Sequence, residues 1–354
     1  MMSIPTLPGI NARTITTARI TTRVLSAGDE DGSPVIFLHG NLTSATFWEE
    51  TMLAMPPGIH SIAPDQRGFG QSDPAAAVDG ARGLADMSED APALMDTLNI
   101  EAAHVVGHSM GGGVLWRMMM DAPERLLSAS FIAPVSPFGF GGTKDAEGTL
   151  CAADAAGSGG GVANPQYTQM LRDGERGDGE MTPRQVMNNF YWKPPYTSER
   201  EEDLLTSVLQ THTGERDYPG DFVTSENWPG VAPGRWGVLN GMAPNNQPDV
   251  SRLYAIDPKP PVLWLRGDSD QVIADMSMFD LAAFGKLGVV PGWPGDEVCP
   301  PQPMIAQTRR VLDNYVAAGG SVKEVLIEDC GHTPFIEKAA EFNLALHRFL
   351  VAQG

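Results

Sequence analysis

The sequence predicts an α/β fold: a doubly wound, mostly parallel sheet with helices on both faces and an inserted, partly helical cap. Three observations predict it. Short apolar runs alternate with helical patterns over residues 1–135. One such run, AHVV at 103–106, passes without a linker into Gly107-His108-Ser109-Met110-Gly111 and then a helical stretch. The alternation stops near Pro134, gives way to a block rich in Gly, Pro, Asn and acidic residues, and resumes at Pro261. The expected organisation is a core of 1–135 and 258–354 with a cap at 136–257.

The elements follow in order. Residues 13–26 (RTITTARITTRVLS) are threonine-rich and β-branched and read as leading strands. The run 34–38 (PVIFL) reads as a strand covered on both faces. A helical pattern at 47–55, a strand at 59–63 and a turn at 65–72 come next. Residues 84–98 form an amphipathic pattern interrupted by Pro92. The strand and helix around Ser109 are followed by a strand at 126–133. Within the cap, helices are expected near 166–172, 182–193 and 198–212. The low-complexity run 152–161 (AADAAGSGGG) is expected to be mobile. A strand at 261–265, an irregular stretch at 281–303, a helix at 304–318, a strand at 322–327 and a closing helix at 335–352 complete the chain.

The chain has 354 residues, 42% hydrophobic and 19% charged, enough for an ample core without disulfides. Its three cysteines, Cys151, Cys299 and Cys330, are an odd set at unrelated spacings, which argues against a disulfide framework or a zinc cluster. No metal cluster, phosphate loop or nucleotide fingerprint is visible, so no cofactor is expected. A formal charge of −20 would repel nucleic acid and anionic membranes. The first twenty residues lack a basic start followed by an apolar core, and no apolar run reaches roughly 18 residues. The expectation is a soluble, cytoplasmic protein.

The chemistry concentrates at four places. In a strand-turn-helix context, G-x-S-x-G describes a nucleophile elbow: Ser109 sits in a strained turn between small neighbours, its hydroxyl lifted clear of the backbone. The N–H of Met110 opens the helix toward the same spot. His39-Gly40-Asn41 follows the strand at 34–38, where a backbone N–H can face the crevice at the carboxyl edge of the sheet. Asn41 and Met110 are therefore candidate oxyanion donors; His39 reads as structural. In Gly267-Asp268-Ser269-Asp270, Asp270 is the candidate acid and Asp268 the alternative. His332 follows the last strand and is the candidate base; His108 reads as packed rather than catalytic.

The segments HGN, DQRGFGQSD, VVGHSMGG, RGDSDQVI and DCGHTPFIEKAAEFN, in that order, resemble the α/β-hydrolase family. The resemblance covers about 1–135 and 258–354. It implies Ser109 as nucleophile, His332 as base and Asp270 as acid, in the chain order typical of that family. It also implies that 65–73 is a mostly structural loop in which Arg67 bonds locally. HGN with Trp48 nearby is similar to haloalkane dehalogenases, but those use an aspartate nucleophile where this chain has Ser109. The cap and the Asp270–His332 interval are long for the family.

The expected function is hydrolysis of small carboxylic esters through an acyl-enzyme, and the expected partner is a small-molecule ester substrate. The same triad would serve a lactonase, thioesterase, amidase or carbon–carbon bond hydrolase. Two readings of other classes are a cofactor-free perhydrolase, since GHSMGGG is similar to perhydrolase elbows, and a non-catalytic ligand-binding protein. In the cap, FYWKPPY at 190–196 is the densest aromatic cluster. Tyr191 and Trp192 are the candidate substrate contacts, with the cap's own small core as the alternative.

Overall fold

Apolar side chains at successive positions in a strand must be buried on both faces of its sheet, and the central strands obey this rule. The computed structural model describes residues 4–353. Its main sheet contains β1 (Asn11–Thr16), β2 (Thr21–Gly28), β3 (Ser33–Leu38), β4 (Ile59–Pro64), β5 (Ala103–His108), β6 (Leu126–Ile132), β7 (Val262–Gly267) and β8 (Val322–Ile327). The spatial order is β1-β2-β4-β3-β5-β6-β7-β8. β1–β2 and β2–β4 pair antiparallel; from β4 to β8 every pairing is parallel.

Alternation along the strands sorts side chains into two cores. Ile36, Leu38, Val105, Val262 and Trp264 point into one, with Trp116 and Tyr315. Val35, Phe37, Val106, Leu263 and Leu265 point into the other, with Trp48, Trp192, Phe335 and Phe342. Every residue of β5 is buried, which explains why its sequence is small and β-branched. Helices α1 (Glu49–Ala54), α2 (Ala85–Thr97) and α3 (Met110–Asp121) lie between the early strands, and α2 continues through Pro92.

Between β6 and β7 the chain forms three helices of eight residues or more, two of which start at side-chain caps. α4 (Pro165–Asp173) starts with Asn164 Oδ1 accepting Gln166 N–H at 2.9 Å, has proline at its first position, and ends on left-handed Gly174. α5 (Pro183–Phe190) is capped by Thr182, whose hydroxyl accepts Gln185 N–H. α6 (Glu201–Leu209) carries three acidic residues in its first turn, which suits the helix dipole. It is shorter than the 198–212 pattern suggests. Ser207 Oγ meets Ser44 Oγ at 2.6 Å, and Arg200 pairs with the fully buried Glu49, so α6 is fixed to the loop after β3.

Two expectations need correction. The run 152–161 is packed: Ala155, Ala156 and Ser158 are buried, and a Cβ on Gly161 would lie 1.9 Å from the Asp221 carbonyl oxygen. Gly161 there reflects close backbone approach rather than a flexible linker. The closing helix is also broken. A four-residue helix at Pro334–Glu337 precedes α8 (Ala339–Val351), with Lys338 at φ −125°, ψ 46° between them. The helix at 304–318 appears as α7 (Met304–Ala317).

Parallel pairing brings the carboxyl ends of β3, β5, β7 and β8 to one edge, where residues 39–41, 109, 268–270 and 330–332 emerge. α3 lies so close to β3 that a Cβ on Gly111 would sit 2.3 Å from the Leu38 carbonyl oxygen. Gly111→Ala should therefore cost about 3 kcal/mol, the upper range for overpacking. Gly58, left-handed but with nothing within 4 Å of an added Cβ, should cost only about 1 kcal/mol as alanine. Urea denaturation of the two variants measures the difference; equal losses would contradict the close-approach argument.

Candidate active site

Ser109 sits between β5 and α3 at φ 54°, ψ −116°, a conformation that costs a non-glycine residue on the order of 1–3 kcal/mol. Its surroundings over-determine it. The Ser109 N–H donates to Ile132 O at 3.0 Å, while its carbonyl accepts from Gly112, Gly113 and Val135 N–H. The preceding loop presses on it from the other side: a Cβ on Gly40 would lie 2.9 Å from His108 Nδ1 and 3.1 Å from Ser109 Cβ. Only glycine lets the His39-Gly40-Asn41 turn lie against the elbow.

The candidate base and the candidate acid come from the other half of the chain. His332 Nδ1 donates to Asp270 Oδ2 at 2.8 Å, with both side chains only 4% exposed. Asp270 is itself fixed, since its Oδ1 accepts Val272 N–H at 2.7 Å and Ile273 N–H at 3.0 Å. A carboxylate held this way leaves Nε2 of a neutral His332 as the proton acceptor. Asp268 lies exposed, bonded to Ser269 Oγ at 2.8 Å, and takes no part in the pair. The rings of His332 and His108 are 4.6 Å apart, which brings His332 beside the residue that precedes Ser109. His108 Nε2–H donates to the His332 carbonyl at 3.0 Å, and burial holds its imidazole well below the usual range, hence neutral.

Of the two candidate oxyanion donors, Met110 is the first residue of α3, where the helix provides no acceptor for its N–H. Asn41 is followed by Leu42 in a left-handed conformation at φ 54°, and its side-chain Oδ1 is buried without a protein partner.

Residues 33–149 match the family described as alpha/beta hydrolase fold. A dihydrolipoyllysine-residue acetyltransferase component of an acetoin cleaving system from Cupriavidus necator is 43% identical over 107 residues, 30% of this chain and 27% of that protein. Carboxylesterase YbfK of Bacillus subtilis is 31% identical over 118 residues, 33% of this chain and 39% of that protein. The chain thus spans well under half the length of these curated relatives. The crystal structure of serine hydrolase CCSP0084, from a polyaromatic hydrocarbon-degrading Cycloclasticus, superimposes with a TM-score of 0.62 at 16% identity. That match covers 97% of this chain and 98% of the other. The chain has the α/β-hydrolase fold.

Within this α/β-hydrolase fold, the loop after β4 supports the turn after β3. Burial lowers the His39 imidazole to about 4. Neutral His39 uses both nitrogens: Nδ1–H donates to Gly40 O at 2.8 Å and Nε2 accepts Gln66 N–H at 2.9 Å. The Gln66 amide returns a bond to His39 O at 2.6 Å. Asp65 is buried and ties the Ala45 and Gln71 amides to Arg23. Arg67 forks onto Asp90 and reaches Ala77 O. Gln66 has no sequence signal of its own, because its role depends on a loop 27 residues away.

The residues singled out for their aromaticity, Tyr191 and Trp192, are both buried in the core cluster that also holds Phe47, Trp48 and Phe335. Trp48 stacks on Phe335 with centroids 4.1 Å apart. Tyr191 OH donates to Leu42 O at 3.3 Å, and the Tyr191 carbonyl accepts both N–H and Oγ1–H of Thr333 at 2.7 Å. Thr333 and Glu337, part of the same arrangement, were not singled out from the sequence. Their only signal was the spacing after His332. No helix among the described residues is long and apolar enough to cross a membrane.

The neutral, buried His39 makes an acid-sensitivity prediction. Its folded value of about 4 lies below the ordinary 6.5, so between these limits the unfolded chain binds more protons. Stability from this residue is complete above pH 6.5 and should fall by on the order of 3 kcal/mol as pH drops to 4. Urea midpoints measured from pH 7 to 4 test this. His39→Gln should be less stable at pH 7 but lose less on acidification; an unchanged slope would contradict the assignment.

Proposed function

We propose that the protein is a serine hydrolase that cleaves small carboxylic esters through an acyl-enzyme. The observation that carries this reading is the Asp270-oriented His332, packed beside an elbow that holds Ser109 in left-handed geometry. Ser109 Oγ attacks the ester carbonyl while His332 Nε2 takes its proton. Asp270 stabilises the imidazolium that forms and keeps the Nδ1–H tautomer. The Asn41 and Met110 N–H groups hold the tetrahedral oxyanion. His332 then protonates the leaving alcohol, and water, activated by the same imidazole, releases the acid and restores Ser109. The sequence similarity to a carboxylesterase supports esters as the substrate class. No cofactor enters this scheme.

The proposed core is 1–135 with 258–354, and the cap 136–257. A fluorophosphonate probe should label Ser109, and Ser109→Ala should lose both labelling and turnover of p-nitrophenyl esters. The loss for Ser109→Ala or His332→Ala should be roughly 10⁴–10⁶-fold in kcat. Asp270→Asn should cost on the order of 10⁴-fold by favouring the wrong tautomer. Near-wild-type turnover in Ser109→Ala with His332 intact would overturn the acyl-enzyme and favour perhydrolase-type chemistry. If Asp268→Asn is the damaging substitution and Asp270→Asn is not, the acid is misassigned.

A further inference from the structure

The cap reaches the His332 loop along residues 191–193, and there the two backbones are in direct contact. A Cβ on Gly331 would lie 2.7 Å from both Lys193 N and the Trp192 carbonyl carbon. Glu337 closes this junction: its Oε2 accepts the Gly331 N–H at 2.6 Å and the Lys193 N–H at 3.1 Å. One residue past His332, Thr333 donates twice to the Tyr191 carbonyl. Tyr196 OH adds a bond to Ile336 O at 3.1 Å, and Lys193 pairs with Asp329. The residues before and after His332 are thus bonded to the cap, and His108 holds the His332 carbonyl from the elbow side.

Tyr191 also reaches the other loop of the site. Its hydroxyl donates to Leu42 O, the carbonyl next to Asn41, and its ring lies 6.1 Å from that of Phe47. Its carbonyl therefore holds the histidine loop while its side chain holds the oxyanion loop. Loops after β3 and β8 have no strand pairing with each other, so their separation is set by side-chain and backbone contacts, of which the Tyr191 pair joins one loop to the other.

We propose that Tyr191 is a positioning residue, anchored by Thr333 and Glu337, that sets the His332 loop and the Asn41 loop at their working separation. At this segment the cap is a fixed strut, not a lid. The catalytic consequence rests on the ester-hydrolase reading; the structural consequence does not.

The test separates the two ends of the strut. Tyr191→Phe removes only the hydroxyl. Glu337→Leu removes the carboxylate junction, while Glu337→Gln keeps an acceptor oxygen. Thr333→Val, which loses one hydroxyl bond, serves if Glu337→Leu does not fold. In the amide and imidazole NMR spectra, Tyr191→Phe should shift the Asn41 amide and spare the His332 Nδ1–H proton. Glu337→Leu or Thr333→Val should shift or broaden the His332 proton, and Glu337→Gln should restore it. With p-nitrophenyl acetate, kcat per fluorophosphonate-titrated site should fall about fivefold to tenfold in Tyr191→Phe and Glu337→Leu, the scale of one hydrogen bond. KM should stay within about twofold, as expected for a group that does not touch substrate.

Lower melting temperature or fewer titratable sites, with unchanged kcat per site and unchanged resonances, would overturn the proposal in favour of plain scaffolding. A rise in KM that grows with ester size at constant kcat would overturn it in favour of direct substrate contact. Absence of labelling and turnover in the wild type would defeat the hydrolase reading instead. The two resonances would still decide whether the strut positions both loops.

Discussion

Close backbone approach at the elbow is the constraint on which the rest of the molecule depends. A serine at positive φ is unfavourable by itself, and the bonds its carbonyl accepts from Gly112 and Gly113 are only part of what keeps Ser109 there. It persists because β5, α3, the turn after β3 and the segment after β6 all bear on it at once. Each approach uses a missing side chain, on Gly40 from one direction and on Gly111 from another. The sheet must be parallel here for these loops to share an edge, and its central strands must be buried for the edge to be rigid.

Polar interactions fix register rather than supply bulk stability. Glu49 shows this most clearly. It is fully buried and paired with Arg200, yet burial raises its carboxyl above the ordinary value despite that cation. A pair that does not recover its desolvation is a weak source of stability but a strict determinant of partner. Here the partner is Arg200, the residue before α6, and Glu49 Oε2 also accepts the Leu7 N–H. The N-terminal segment, the loop region after β3 and α6 therefore meet at one carboxylate. Hydrophobic burial around Trp48, Trp192, Phe335 and Phe342 provides the cohesion; the buried charges determine which surfaces meet.

What was legible in the sequence was local. The strand at 322–327, the presence of helices near 166–172 and 182–193, and the elbow at Ser109 all depend on neighbours a few positions away. Periodicity and capping chemistry carry such signals. The Asp270–His332 contact spans 62 residues, and it was anticipated because both loops follow strands that a parallel sheet brings to one edge. The Tyr191–Thr333 bonds, 142 residues apart, had no such signal, because nothing in the pattern of the cap says which core loop it meets. Aromatic composition pointed to Tyr191 and Trp192 but not to the backbone contacts they make. The reading of 152–161 failed for the converse reason: small residues look alike whether they are free or wedged between other backbones.

That wedged segment bears on how the protein can be remodelled. A stretch of alanine, glycine and serine is where an engineer would place an affinity tag, a fluorophore or a new chain terminus. In this protein the same stretch behaves as a keystone of the insertion, with the Asp221 and Ser158 backbones touching glycine Cα positions on facing turns. Cutting or lengthening it would disturb its contacts with Asp221 and Cys299. Insertions belong instead at the exposed stretch around Glu175–Glu180, where side chains meet mostly solvent.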